Sequence, residues 1–301
     1  MRGGHVFGLI GIGPGRRGDR SVAVMTTNTP NGAAPDTVVL IHGLWMTALS
    51  WENWAARYEQ RGFKVIARSW PGMEGDIDAL RADTSAIDDL GIEQILEHYE
   101  GIIEGLESPP IIMGHSFGGA FTQILLDRGL GAAGVAIDSA PVKGLLKLPA
   151  STLKTGFPVL KNPLNRHRAV ALSAEEFHYS FTNTLSEAES GPIYDRYAVP
   201  GPGRVLFQGA LANFSPHSPA ALDYKNDDRV PLLLIAGGED HVAPASLNES
   251  NFKHYKSTRA VTEFKVFPGR SHYTLGQEGW EEVADYALGW AVEHAAIPVT
   301  S

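Results

Sequence analysis

Six apolar runs of strand length, separated by stretches with helical spacing, constrain this chain more than any other feature. The runs are Thr37–Ile41, Lys64–Arg68, Ile111–Met113, Val135–Ile137, Leu232–Ala236 and Val261–Phe267. Between them, Ser50–Arg61 (Trp51, Trp54, Tyr58), Ile92–Leu106 and Phe117–Leu130 repeat apolar residues every three or four positions, as does Glu281–His294 at the end. Strands that are apolar along their length and alternate with helices belong in a parallel sheet covered on both faces. The predicted fold class is therefore α/β, a mostly parallel sheet with helices on both sides. One segment breaks the rhythm. Residues 141–227 show no buried parallel strand, only short helical patterns, many prolines and a basic run of Lys143, Lys147, Lys154, Lys161, Arg166 and Arg168. The expected organisation is a tail and linker over 1–36, a core of 37–140 with 228–301, and a largely helical cap inserted at 141–227.

The third apolar run leads directly into Gly114-His115-Ser116-Phe117-Gly118. Glycines on both sides of a serine let the backbone turn sharply from strand to helix, with the hydroxyl at the tip of the turn. The free N–H groups of the helix start can then bind a developing oxyanion. A serine hydroxyl is a weak nucleophile and needs a base, itself oriented by an acid. Both follow in the chain. Asp240 stands just past the fifth run, with Pro244 behind it, and His272 just past the sixth. In a parallel sheet, strand ends of this kind share one edge with Ser116.

Rivals for these roles are present. Asp138 ends the fourth run and is the alternative acid; Asp240 is preferred on its strand-end position and the Pro244 spacing. His241 adjoins Asp240 and is expected to pack its loop, His115 to pack locally, and His42 to shape its loop by hydrogen bonding. The loop His42-Gly43-Leu44-Trp45 after the first run is placed to complete an oxyanion hole, with the Leu44 and Phe117 N–H groups as donors. Trp45 and Trp70 are candidate walls of a substrate pocket.

Composition narrows the function further. A formal charge of -9 argues against general affinity for nucleic acid, and with no cysteine there is no thiol nucleophile, disulfide or cysteine-held zinc. No apolar stretch is long enough to span a bilayer. The N-terminal run Val6–Ile10 is short, broken by Gly8 and followed by no small-residue cleavage site, so cytoplasmic location is the expectation over secretion. Glycines 8, 11, 13 and 15 do not form a dinucleotide-binding fingerprint.

Taken together, His42-Gly43, Ser69-Trp70-Pro71-Gly72, the Ser116 turn, Asp240 and His272 resemble the α/β-hydrolase family over most of Thr37–Ala295. The resemblance departs at Ser69, where relatives often carry Asp, and before the first run, which leaves little room for the usual leading strands. It implies a serine hydrolase of the esterase or lactonase kind, acting on a small or medium ester or lactone without metal or cofactor. A serine at the nucleophile position sets it apart from relatives that attack with aspartate. The alternatives are a cofactor-free lyase or peroxidase on the same residues, and a ligand-binding member without turnover.

Overall fold

The computed structural model describes residues 34–146 and 148–295; most of the expected tail, and its decoy glycines, lie outside them. The chain runs β1 (Thr37–Ile41), α1 (Glu52–Gln60), β2 (Lys64–Ala67), α2 (Ile77–Ala82), α3 (Ile92–Glu104), β3 (Ile111–His115), α4 (Phe117–Asp127) and β4 (Ala133–Ile137). It continues through α5 (Ala150–Leu160), β5 (Ala169–Val170), α6 (Ala174–Phe181), α7 (Glu187–Tyr197), β6 (Gly201–Pro202) and α8 (Gly203–Ala210). Then β7 (Leu232–Gly237), α9 (Ala245–His254), β8 (Thr262–Phe267) and α10 (Trp280–Ala295) complete it.

Six strands form one parallel sheet in the order β2-β1-β3-β4-β7-β8. Alternation within each strand builds a separate core on each face. Val38, Leu40, Ile111, Met113, Val135 and Ile137 point to the side covered by α1 and α10, where Trp54, Tyr58, Ala287 and Leu288 meet them. Val39, Ile41, Ile112 and Ala136 point to the side covered by α3 and α4. The helices sit there because their sequences carry one apolar stripe each: Ile92, Ile95, Leu96, Tyr99 and Ile103 are the buried residues of α3. Gln94 starts that helix by accepting the Gly91 N–H at 2.9 Å, which satisfies one otherwise unpaired donor. The edge strand β8 alternates charged Glu263 and Lys265 with apolar Phe264 and Val266 before ending in Phe267, as its half-exposed place requires.

After β1 the chain goes to β2 on one side, whereas β3 lies on the other. The crevice between the ends of β1 and β3 is thus the switch point of the sheet, where ligands of open α/β folds bind. The segment between β4 and β7 lies outside the main sheet, with β5 and β6 pairing antiparallel as a separate ribbon. It is tied to the loops at the sheet's carboxyl edge. Trp45 Nε1 donates to the Val170 carbonyl and the Val199 N–H to the Trp45 carbonyl, both at 3.0 Å. Tyr273 N–H donates to the Phe181 carbonyl at 2.9 Å.

Candidate active site

Ser116 stands between β3 and α4 with φ 57° and ψ -120°, a backbone conformation that L-residues rarely adopt and that costs about 1–3 kcal/mol. The turn persists because its surroundings are packed too closely for an alternative. A Cβ built on Gly118 would stand 2.1 Å from the Ile41 carbonyl oxygen, and one on Gly43 would stand 2.6 Å from the Ser116 Cβ. The β1 loop and the serine turn are therefore pressed together at the switch point. Gly118→Ala is expected to destabilise the fold by more than ~4 kcal/mol, because a backbone atom blocks the new methyl; thermal unfolding followed by circular dichroism measures this.

The strand-end residues converge. His272 Nδ1 donates to Asp240 Oδ2 at 2.7 Å, and both side chains are buried. Asp240 Oδ1 in turn accepts the N–H groups of Val242 at 2.6 Å and Ala243 at 2.9 Å. These bonds fix the carboxylate and hence the tautomer and plane of the imidazole. Burial disfavours charge on the ring and lowers His272 from 6.5 to about 3, so the imidazole is neutral at pH 7. Its other nitrogen, Nε2, is buried and has no hydrogen-bond partner among the described residues. Burial also raises the Asp240 carboxyl, against the pull of its two backbone donors.

Asp138, the alternative acid, does not bond to His272. It sits at the end of β4 with φ 46°, and its Oδ1 accepts the Gly237 N–H at 2.6 Å. Burial and the neighbouring Asp240 charge push its carboxyl well above the usual range. His115, expected only to pack locally, does more: its Nε2 donates to the His272 carbonyl at 2.9 Å and its ring centroid lies 4.6 Å from that of His272. It links the residue beside Ser116 to the loop of His272. Phe181 on α6 closes the same ring edge-on at 4.9 Å. His42 shapes its loop as read: Nδ1 donates to the Gly43 carbonyl and Nε2 accepts the Trp70 N–H, both at 2.9 Å. His241 donates to the Tyr179 carbonyl at 2.9 Å and packs on that ring.

Of the expected oxyanion donors, Phe117 N–H opens α4, where no earlier carbonyl of the helix is available to it. Leu44 N–H makes no backbone hydrogen bond among the described residues. A narrow cavity of about 60 Å³ reaches Ser116 and is walled by Trp45, Phe117, Leu153, Leu160, Leu206 and Ala210. Trp45 is thus a wall. Trp70 is not; it is fully buried, stacked on His42 at 4.7 Å and packed against Phe121. The walls from α5 and α8 carry no motif, so nothing in the sequence marked them. Atoms of His115, Asp138 and His272 that could bind a metal lie within 4.8 Å of one another. The bonds just described use one nitrogen of each ring, and His115 Nδ1, Asp138 Oδ2 and His272 Nε2 have no hydrogen-bond partner among the described residues.

Residues 38–286 match the model of the Alpha/beta hydrolase family. The chain belongs to that family. A curated relative, an uncharacterized abhydrolase domain-containing protein of Dictyostelium discoideum, is 24% identical over 279 residues, which is 91% of this chain but 28% of the relative. The chain therefore spans under a third of the length of that protein. Among solved structures, the monoacylglycerol lipase of Paleococcus ferrophilus is 22% identical with a TM-score of 0.59, covering 87% of this chain and 96% of that one. An extracellular alpha/beta-hydrolase from a Paenibacillus species is also 22% identical, with a TM-score of 0.60 over 85% of this chain and 98% of that one. These likenesses concern the fold. Among the described residues, no helix is long and apolar enough to cross a membrane.

Proposed function

We propose that this α/β hydrolase is a serine esterase that cleaves small or medium apolar carboxylic esters or lactones through an acyl-enzyme. The observation that carries the reading is the buried Asp240–His272 pair, with a free Nε2, on the same sheet edge as the strained Ser116. His272 Nε2 takes the proton as Ser116 Oγ attacks the carbonyl, and Asp240 stabilises the imidazolium that forms. The oxyanion lies between the Leu44 and Phe117 N–H groups, each contributing about 3 kcal/mol in the transition state. Collapse expels the alcohol, which receives its proton from His272. Water, deprotonated by the same nitrogen, then releases the acid. Main-chain donors and the triad carry all the charge that develops, so the step requires no metal or cofactor.

The apolar walls of the cavity suit the acyl or alcohol hydrocarbon rather than a charged group. Residues 141–227 act as the cap over the site in this reading, since α5, α6 and α8 supply walls and the residue that closes on His272. A cavity of about 60 Å³ holds roughly two waters by volume, so substrates enter by displacing Leu153, Leu160 or Leu206. The test is turnover of p-nitrophenyl esters of rising chain length alongside a lactone panel. Hydrolysis of short and medium esters supports the proposal. Inertness toward both panels, with turnover of a cyanohydrin, would replace it with lyase chemistry. The same assay reads the pH dependence. Only neutral His272 can accept the serine proton, and burial lowers its pKa, so the acid limb of kcat/KM is expected at a midpoint below 6.5.

A further inference from the structure

From Ser139 to Ala174 the sequence has no Asp or Glu and six Lys or Arg, although the chain as a whole carries a formal charge of -9. The same part of the chain exposes apolar side chains. Of the eight large hydrophobic residues most open to solvent among the described residues, six lie between β4 and β7: Leu146, Leu153, Phe157, Leu164, Leu211 and Phe214. Leu146, Phe157 and Phe214 are 81%, 63% and 84% exposed. Large apolar groups clustered in this way mark an interaction surface, whereas scattered ones need no explanation.

The elements that bear or adjoin all of them but Leu146 pack on one another. α5 contacts α8 and the short turn Pro163–His167, which α8 also contacts. Leu153 and Phe157 lie one turn apart on α5 and so share a face of that helix. Leu153 also lines the cavity that reaches Ser116. The exposed apolar surface and the mouth of the cavity are therefore continuous.

The cations of this surface meet no carboxylate directly, though Lys154 lies over the Tyr179 ring and Arg166 Nε donates to His167 Nε2. Elsewhere, several exposed cations meet carboxylates: Arg57 and Arg61 pair with Asp285, Arg128 with Glu93 and Glu100, Arg259 with Asp227. None of Lys154, Lys161, Arg166 and Arg168 pairs with a carboxylate among the described residues. Arg166, with Arg204, Phe207 and Leu211, instead lines an open cavity of about 650 Å³ in the same group of elements. Cations free of acidic partners, mixed with exposed Leu and Phe, suit one kind of partner. Apolar side chains enter the acyl boundary while the cations meet anionic headgroups.

We propose that the α5–α8 face of residues 141–227 docks on an anionic lipid surface and opens the Ser116 cavity toward it. Docking does not depend on the chemistry at Ser116, so each can fail without the other. The experiment uses the full chain and vesicles of phosphatidylcholine, with and without an equal share of phosphatidylglycerol. Co-sedimentation is expected with the anionic vesicles and not with phosphatidylcholine alone, and is expected to be lost in high salt.

Each basic residue near such a surface contributes about fivefold to binding, so loss of the two positive charges in the double substitution Lys161→Glu, Arg168→Glu is expected to weaken it by at least about 25-fold. Neither residue lines the Ser116 cavity, and an unchanged thermal midpoint checks that the variant folds. The absence of cysteine makes a site-specific readout simple. A Phe157→Cys variant carrying an environment-sensitive fluorophore is expected to shift to the blue on anionic vesicles. The same label at exposed Glu293, near the end of α10, is expected to stay unchanged. No sedimentation with anionic vesicles, undiminished binding of the charge-reversed variant, or a shift at Glu293 without one at Phe157 would overturn the proposal. Binding of anionic protein with no binding of vesicles would assign the face to another class of partner and overturn it equally.

Discussion

Ser116→Ala is expected to lower kcat for a p-nitrophenyl ester by about 10⁴ to 10⁶-fold and to leave the thermal unfolding midpoint close to that of the unsubstituted protein. The magnitude follows from the role proposed for one oxygen atom. Without Oγ there is no acyl-enzyme, and what remains is the help that the N–H donors and the cavity give to attack by water. The fold should tolerate the change because alanine retains the Cβ around which the turn is packed, and Ser116 Oγ makes no hydrogen bond on which the turn depends. Its main-chain bonds persist: the Ser116 N–H donates to the Ile137 carbonyl and its carbonyl accepts the Ala140 N–H, both at 2.9 Å. A variant that lost activity by unfolding would betray itself in the melting curve. Steady-state kinetics beside the melt distinguish the two.

The two buried aspartates should separate as sharply. Asp240→Asn is expected to cut kcat by about 10⁴-fold, because an amide cannot stabilise the imidazolium and can present its NH₂ group to Nδ1, favouring the wrong tautomer. Asp138→Asn is expected to cost less than about tenfold. Burial and the Asp240 charge raise the Asp138 carboxyl and so favour its neutral form, which an amide resembles in size while retaining an oxygen for the Gly237 N–H. Equal losses in the two variants, measured as kcat on one soluble ester, would mean that the roles have been assigned to the wrong carboxylate.

How much of this was legible in the sequence depends on which forces left a local trace. β1, β3, β4 and β7 are buried on both faces, so each reads as a plain apolar run. Ser116 and Asp240 were readable because each stands just beyond such a run, and His272 because it follows the edge strand β8; a parallel sheet brings those ends to one edge. Two helices left no such trace. α2 is six residues long with a single buried side chain, Leu80, too little to show a period. α9 buries polar residues instead: Asn248 donates to the Ala243 carbonyl at 3.0 Å and Asn251 to Gln123 Oε1 at 2.9 Å, so no apolar stripe appears.

The site's surroundings were harder still. Leu153, Leu160 and Leu206 become cavity walls through the packing of α5 against α8, which no spacing encodes. Trp70 was a candidate wall, but the His42 ring and Phe121 pack against it and bury it. His115 was read as facing away from the chemistry. Its bond runs to the main chain of His272, a contact between residues 157 apart that the sequence does not announce.

Everything proposed for the site requires Ser116 to be an activated nucleophile. Its most direct test is treatment of the native protein with a fluorophosphonate, followed by mass spectrometry of the digested adduct. One modified residue is expected, Ser116, with labelling abolished in Ser116→Ala and slowed strongly in Asp240→Asn. A chain that stays unlabelled, or that carries the adduct on another serine, would contradict it.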